Sequence, residues 1–235
     1  MTVPSLAERD VGVIIVAGGS GTRMGGEELK QFRWVAGKPM LLHSVQAFMA
    51  HPRVGMVVCV LPQRYAGDPP PWLFQCDVDR LLVSIGGRTR SESVANGLDD
   101  LPDEAQIVLV HDAARPLVGQ ATIGRVIAAV EESSAAIAAL PVIDTLKSVD
   151  EAGRITGTVD RSALWRAQTP QGFRRSLIVD VHRRARAERV TATDDAALCE
   201  RLGHEVRVVR GSERALKVTE PGDFARVEAL YLQDE

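Results

Sequence analysis

The sequence lacks the features that mark several classes of protein. Its three cysteines form no C-x-x-C pair, which argues against a disulfide framework and against a zinc site. No apolar run approaches the ~18 residues needed to span a bilayer, and the N-terminus has no apolar stretch behind basic residues. We therefore expect a cytoplasmic protein that does not contact membranes.

The chain also lacks an excess of positive charge. It carries 28 Lys and Arg against 31 Asp and Glu, for a net charge of −3. General nucleic-acid binders usually show a strong basic excess, so we expect no nucleic-acid partner. Any bound anion must be met by local positive charge. The length of 235 residues, 45% of them hydrophobic, fits one α/β domain.

Short apolar runs alternate with amphipathic helical patterns along the chain. The runs show no polar alternation, which indicates a mostly parallel sheet covered on both faces, a doubly wound α/β fold. The predicted strands are residues 11–17, 54–61, 81–85, 107–110, 135–142 and 205–210. The predicted helices are residues 40–49, 91–98, 118–133, 174–189, 194–202 and 221–232.

The pattern is different between about residues 143 and 168. Residues 148–157 have a turn-forming centre and β-prone flanks, which predicts a hairpin that projects from the domain. An isolated two-stranded arm is marginally stable in water. We therefore expect the arm to pack against a second subunit.

A glycine-rich loop follows the first predicted strand. It carries Gly18, Gly19 and Gly21, with the cations Arg23 and Lys30 close by. Its spacing fits neither the dinucleotide fingerprint nor the P-loop, each of which needs glycines at other positions. Backbone N–H groups beside two cations suit a polyphosphate under attack. A glycine turn without ligand, with a solvated basic pair, is the alternative.

Three more polar segments follow predicted strands, at residues 86–91, 111–116 and 144–147. The carboxyl ends of the parallel strands share one edge, so these segments should converge there and form a site. Asp112 would suit Mg²⁺, which one or two carboxylates and substrate phosphates usually hold. The alternative is that Asp112 caps a helix or pairs with Arg115. His111 is either a base or, more commonly at a strand end, a packing residue.

Three further residues have two interpretations each. Thr193 stands before two acids, which predicts a helix N-cap at a helix start that can also bind an anion. Arg161 follows the arm, and a surface ion pair with Asp160 would account for it. Lys217 lies in a short β-like segment, where a lysine is usually a surface charge.

Taken in order, these motifs resemble those of the 2-C-methyl-D-erythritol 4-phosphate cytidylyltransferases of the non-mevalonate isoprenoid pathway. The resemblance runs from about residue 11 to residue 230. The matching motifs are the glycine loop with Arg23, Lys30-Gln31, residues 86–94 with Arg90, residues 111–116, 144–147, 168–173 and 193–196, and Lys217-Val218-Thr219. Each motif is modest alone, whereas the ordered set is specific.

The resemblance implies a Rossmann-like nucleotidyltransferase that moves a cytidylyl group from CTP to methylerythritol phosphate, with Mg²⁺ as the divalent cation. It also implies a homodimer in which the arm contributes Arg161 to the partner's site. The implied catalytic residues are Arg23, Lys30, Lys217 and Arg161. The implied nucleotide-binding residues are Ala17, Gly18, Gly19, Gly21, Gly87, Ser93, Asp112 and Ala113, with Asp112 at the metal. The implied contacts to the alcohol phosphate are Arg115, Thr145, Arg161, Thr193 and Lys217.

The sequence departs from the family pattern in two places. Gly18 stands where the family often has a second alanine, and Arg88 stands where some relatives carry an acid, so no base contact is carried over to Arg88. Two other functions stay open. One is a ribitol-5-phosphate cytidylyltransferase, which shares the fold and the loops. The other is a silent nucleotide-binding protein, which the set of Arg23, Lys30, Asp112 and Lys217 disfavours.

Overall fold

The computed structural model describes residues 9–18 and 29–233. Its strands are β1 (Val11–Val16), β2 (Trp34–Val35), β3 (Lys38–Pro39), β4 (Val54–Leu61), β5 (Leu81–Ile85), β6 (Ile107–Asp112), β7 (Ala135–Pro141), β8 (Leu146–Val149), β9 (Ile155–Val159), β10 (Trp165–Arg174) and β11 (Arg207–Arg210). Its α-helices are α1 (Met40–Met49), α2 (Gln63–Ala66), α3 (Arg90–Asp100), α4 (Gln120–Ser133), α5 (Arg175–Glu188), α6 (Asp195–Arg201) and α7 (Gly222–Leu232). Short 3-10 helices cover Lys30–Phe32, Pro71–Gln75 and Val78–Arg80.

Seven strands form the central sheet in the order β11-β7-β10-β6-β1-β4-β5. Strand β10 runs antiparallel to β6 and β7, and the other neighbouring pairs are parallel. The chain moves outward from β1 through β4 to β5 and then returns to place β6 on the other side of β1. The carboxyl ends of β1 and β6 therefore flank a topological switch point, where open α/β sheets bind ligands.

Side chains of β1 fill two hydrophobic cores, one on each face of the sheet. Val13 and Ile15 pack in the core that includes Phe48 of α1, whereas Ile14 packs in the opposite core with Val94 of α3 and Ile178 of α5. All of these side chains are buried. Because successive residues of a strand point to opposite faces, an apolar run in β1 requires helices on both sides. This arrangement confirms the doubly wound, mostly parallel fold predicted from the sequence.

Strand β10 is the one strand of the central sheet that the sequence did not predict. Three of its polar residues, Gln168, Thr169 and Gln171, are buried, and the strand departs from regular pairing with β7 between Ala167 and Gln171. A strand that buries amide and hydroxyl groups shows no apolar signal, so its pattern resembles a loop. The predicted arm range of 143–168 is also too long at its C-terminal end, because β10 begins at Trp165.

The hairpin of β8 and β9 forms its own two-stranded sheet, as the sequence predicted. Its side chains are mostly exposed, including Val149 at 58% and Ile155 at 66%. These apolar groups contribute no core within this chain. In the described part of the protein no helix is long and apolar enough to cross a bilayer.

Candidate active site

Two glycine segments lie side by side at the carboxyl ends of β1 and β5. A Cβ on Gly18 would lie 3.3 Å from Ser93 Oγ and 3.7 Å from Gly86 Cα. The N–H of Gly87 donates to Ser93 Oγ at 3.1 Å, and a Cβ on Gly87 would lie 2.3 Å from the Cβ of Glu92. The approach at Gly87 leaves no room for a side chain, and a Cβ at Gly18 would crowd the Ser93 hydroxyl. The backbone of Gly18, which follows Ala17, thus lies close to that of Gly86, and we call the space that these two segments border the glycine cleft.

Asp112 is the last residue of β6, and two cations hold its carboxylate. Lys217 Nζ lies 2.6 Å from one carboxylate oxygen and Arg90 Nε lies 3.3 Å from the other. The side chain is only 14% exposed. Burial disfavours its charged form, but Arg90 and Lys217 outweigh burial and hold the pKa of Asp112 well below its ordinary value. Asp112 is therefore a carboxylate at neutral pH.

Lys217 lies on an irregular segment between β11 and α7 that returns to the sheet edge. The N–H of Val218 donates to the carbonyl of Ala114 at 2.8 Å, and Lys30 Nζ donates to the carbonyl of Val218 at 2.8 Å. The amide of Gln31 in turn donates to the carbonyl of Ala17. Lys30 thus contacts the backbone of the segment whose Lys217 lies on Asp112, although the two lysines come from opposite ends of the chain.

Arg115 also contacts the segment that carries Lys217. Its guanidinium donates to the carbonyl of Ala215 at 2.7 Å and to that of Ala167 at 3.3 Å. Burial lowers the pKa of Arg115. Two N–H groups of Arg115 donate to backbone carbonyls, and the bond to Ala215 holds the segment that carries Lys217. The contact with the alcohol phosphate, implied by the resemblance, stays a prediction.

His111 is a packing residue rather than a base. It is completely buried, with its ring edge against Phe48. Its Nε2 donates to the carbonyl of Arg115 at 3.1 Å, and its Nδ1 accepts from the Thr169 hydroxyl at 2.9 Å. Thr169 Oγ1 also accepts from the N–H of Asp112 at 3.2 Å. Burial lowers the pKa of His111 to about 4, so the ring is neutral and fixes the backbone that carries Asp112.

A buried charge network, which sequence reasoning missed, joins three of the motifs. Arg90 Nη1 lies 2.6 Å from one oxygen of Asp195, and His182 Nε2 lies 2.9 Å from the other. The amide oxygen of Gln171 accepts from the N–H of Asp195 at 3.2 Å. Burial disfavours the charge on Asp195, but Arg90 and His182 outweigh it and lower its pKa. Arg90 and Asp195 each lie within one of the matching motifs without an assigned role, and this could have indicated that they are partners.

The remaining residues with implied roles lie at the margin. Thr193 is exposed, and the predicted N-cap at Thr193 is wrong, because Asp194 caps α6 by accepting from the N–H of Ala197. Thr145 and Arg161 are exposed at the base of the arm. Within the described ranges neither forms a hydrogen bond or ion pair with Lys30, Asp112 or Lys217.

The possible surface pair of Arg161 with Asp160 does not form. Asp160 instead accepts from the N–H of Ser162 at 2.9 Å and from its hydroxyl at 3.1 Å. Within the arm, all of which is described, the guanidinium of Arg161 therefore has no partner.

Three residues with implied roles, Gly19, Gly21 and Arg23, lie outside the described residues.

The carboxylate of Asp112 would suit a divalent cation that takes its other ligands from substrate phosphates and water. Residues 9–18 and 29–233 contain no group of three potential metal ligands, so these residues form no complete cage. Mg²⁺ usually takes one or two carboxylates and completes its shell with phosphates and water. Each oxygen of Asp112 accepts from one cationic donor, which leaves a lone pair on each.

A doubly wound sheet with a glycine cleft, two lysines and a carboxylate at its switch point defines a nucleotidyltransferase. A sequence model of the family IspD, 2-C-methyl-D-erythritol 4-phosphate cytidylyltransferase, matches residues 11–233. The chain belongs to this family.

Individual relatives agree. The chain is 44% identical to the 2-C-methyl-D-erythritol 4-phosphate cytidylyltransferase of Cereibacter sphaeroides, with 92% of this chain and 95% of the relative covered. It is 43% identical to the enzyme of the same name from Salinibacter ruber, with 93% and 92% covered. The crystal structure of the enzyme of that name from Thermus thermophilus has a TM-score of 0.80 at 36% identity, with 94% of this chain and 98% of that chain covered.

One relative is a longer protein. The chain is 42% identical to the bifunctional enzyme IspD/IspF of Desulfotalea psychrophila over 92% of its own length, but it spans only 55% of that enzyme. The similarity therefore concerns about half of the bifunctional protein.

Proposed function

We propose that this protein transfers the cytidylyl group of CTP to 2-C-methyl-D-erythritol 4-phosphate in isoprenoid precursor synthesis. A phosphate oxygen of the alcohol phosphate attacks the α-phosphorus of CTP, the bond to the β-phosphate breaks, and pyrophosphate leaves. Such transfers depend on positioning and charge stabilisation more than on covalent help from the protein. The observation that carries the proposal is the meeting of Lys30 with the Lys217 segment beside Asp112.

Lys30, Lys217 and Arg23 would neutralise the negative charge on the reacting phosphates. Lys30 and Arg23 stabilise charge at the α-phosphate and on the leaving pyrophosphate, and Lys217 binds and orients the attacking phosphate. Asp112 would hold Mg²⁺ together with the triphosphate, and that ion would supply further neutralisation of the phosphate charge. Arg23 takes this role from the family resemblance, because it lies outside the described residues.

The glycine cleft would hold the cytosine base. Ser93 donates its hydroxyl proton to the carbonyl of Thr89 at 2.9 Å and accepts from Gly87. The hydroxyl oxygen can therefore only accept a further hydrogen bond, which suits the amino group of cytosine and not the carbonyl oxygen of uracil at the same position. The family resemblance assigns further contacts with the nucleotide to Ala17, Gly18, Gly19, Gly21 and Ala113.

The alcohol phosphate would lie between Lys217 and the residues at the margin. Thr193 and Thr145 contact it, and Arg161 reaches it from the arm of a partner subunit in a homodimer. The exposed Val149 and Ile155 support this assembly, because apolar arm residues need a surface to pack on. We place the enzyme in the cytoplasm, since its three cysteines are free thiols.

Pyrophosphate release tests this function. The expected result is turnover with CTP, Mg²⁺ and methylerythritol phosphate, little with the other three nucleotides, and little with ribitol 5-phosphate. Chelation of the divalent cation should stop turnover, and added Mg²⁺ should restore it. Preference for ribitol 5-phosphate would replace the assigned substrate, and CTP binding without turnover would favour a silent binding protein.

Substitution of Lys30 tests its role. Lys30→Met is expected to lower turnover by about a hundredfold or more while CTP still binds, as when one transition-state donor is removed. Lys38→Met is a matched control, because Lys38 is also partly buried but lies in the β2–β3 hairpin and donates to Gln46 of α1 at 2.8 Å. Equal turnover of the two variants would contradict the role of Lys30.

A further inference from the structure

Arg90 is the only described side chain that contacts both Asp112 and the buried Asp195. Its guanidinium places Nε 3.3 Å from Asp112 and Nη1 2.6 Å from Asp195. Asp195 is completely buried and His182 contacts its other oxygen. Arg90 therefore connects the end of β6 to the start of α6, the element that follows Thr193.

Asp112 presents a charge problem once the reaction begins. In the structure its two cationic partners are Arg90 and Lys217. Lys217 contacts Asp112 through its ammonium, and an incoming phosphate competes with that carboxylate for the same charge. Burial penalises an unpaired charge, so without Arg90 this carboxylate, which is 14% exposed, would hold Lys217 more tightly. Lys217 would then be less available to the phosphate of the substrate.

Resting on the function proposed above, we propose that Arg90 is a positioning residue that remains on Asp112 as its permanent counter-ion and thereby frees Lys217 to bind the phosphate of the alcohol. Asp195 and His182 hold Arg90 in place for this task. Neither Arg90 nor Asp195 touches the reacting atoms in this arrangement. Their effect reaches the substrate through Asp112 and Lys217.

The two cations differ in ways that suit these roles. Arg90 is 26% exposed and is tied to a buried acid, whereas Lys217 is 44% exposed on an irregular segment. A planar guanidinium can contact two carboxylates with separate N–H groups, which the single ammonium of lysine does less well. Asp195, which holds Arg90, is itself held in place, since the amide oxygen of Gln171 accepts from the N–H of Asp195. Arg90 is therefore suited to remain on Asp112, whereas Lys217 is suited to leave it and bind the phosphate.

The test compares two arginines that each bridge two carboxylates. Arg53, at the opposite edge of the sheet, donates to Asp10 at 3.0 and 2.7 Å and to Glu131 at 2.6 Å, with a side chain that is 31% exposed. Arg90→Met is expected to raise KM for methylerythritol phosphate by about tenfold or more and to change KM for CTP by less than about twofold. Arg53→Met is expected to change neither. Arg90→Lys should fall between wild type and Arg90→Met.

A double variant separates positioning from folding. Arg90→Met leaves Asp195 buried without its arginine, so this variant should lose stability. Arg90→Met/Asp195→Asn removes both buried charges and should regain stability, which keeps the test open even where the single variant folds poorly. If Arg90 acts through Lys217, KM for the alcohol phosphate stays raised in the double variant. Recovery of that KM together with stability would overturn the inference.

The remaining outcomes are also distinct. Equal rises in both KM values, or an Arg90→Met enzyme that behaves like Arg53→Met, would overturn the role of Arg90 while wild-type turnover upholds the proposed function. A wild-type protein that shows no turnover with CTP and methylerythritol phosphate would instead refute the proposed function itself.

Discussion

Acid should destabilise this protein through His111, well above the pH at which carboxylates protonate. The ring is completely buried between Phe48 and the Thr169 hydroxyl, and burial lowers its pKa from 6.5 to about 4. Between these two values the unfolded chain binds a proton that the folded chain excludes. The stability that a neutral His111 contributes is therefore fully present above pH 6.5, decreases as the pH drops, and is lost by about pH 4.

The size of the effect follows from the two pKa values. One unit of pKa shift corresponds to about 1.4 kcal/mol, so the full shift corresponds to about 3 kcal/mol. Between pH 7 and pH 5 the linkage relation gives a loss of about 2 kcal/mol in the free energy of unfolding from His111. Asp112 acts outside this window, because its lowered pKa makes stability fall only as the pH drops below its unfolded value of 3.8.

Urea unfolding at the two pH values measures this loss. The experiment uses the protein with EDTA, without nucleotide or added divalent cation. Burial also lowers the pKa of His43 and His51, so the wild-type protein should lose at least the share of His111. His111→Gln, which does not titrate, should be less stable at pH 7 but should lose about 2 kcal/mol less on acidification. Equal losses in the wild type and the variant would refute a neutral, buried His111.

Three further predictions follow from the site and the core. Lys217→Met should lower pyrophosphate release by about a hundredfold or more and should also lower Tm in a thermal melt, because Asp112, only 14% exposed, loses its partner at 2.6 Å. Gly87→Ala should weaken CTP binding and lower the free energy of unfolding by about 1–3 kcal/mol in urea, because its Cβ would meet Glu92. Burial raises the pKa of Cys199 to about 12, so iodoacetamide should modify Cys199 only after the protein unfolds. The partly exposed Cys76 should react first, and mass spectrometry of the folded and unfolded protein measures both modifications.

Much of the fold could be predicted because local pattern and burial agree. Strands β4 and β5 and helix α1 begin and end where the apolar periodicity predicts, since most side chains of β4 and α1, and Leu81 and Val83 of β5, enter the hydrophobic cores. The N-cap of α6 was misplaced by one residue, because Thr193 and Asp194 are both good caps and only backbone geometry selects Asp194.

The structure also decided between paired interpretations of single residues. His111 is a packing residue because both ring nitrogens are bonded inside the protein. Arg115 braces the Lys217 segment through the carbonyl of Ala215, a role that no sequence spacing predicts. Lys217, whose local sequence alone indicates a surface charge, lies on Asp112. In each case the deciding partner is distant in sequence.

The sequence by itself determined the layered sheet, its glycine cleft and the edge at which polar residues converge, because strand periodicity and glycine placement are local properties of the chain. Only the tertiary structure decided that β10 runs antiparallel through the middle of the sheet and that Arg90 joins Asp112 to Asp195. Those features depend on buried polar groups that find partners far along the chain, and the residue pattern of a polar segment does not reveal whether it will be buried or which partner will satisfy it.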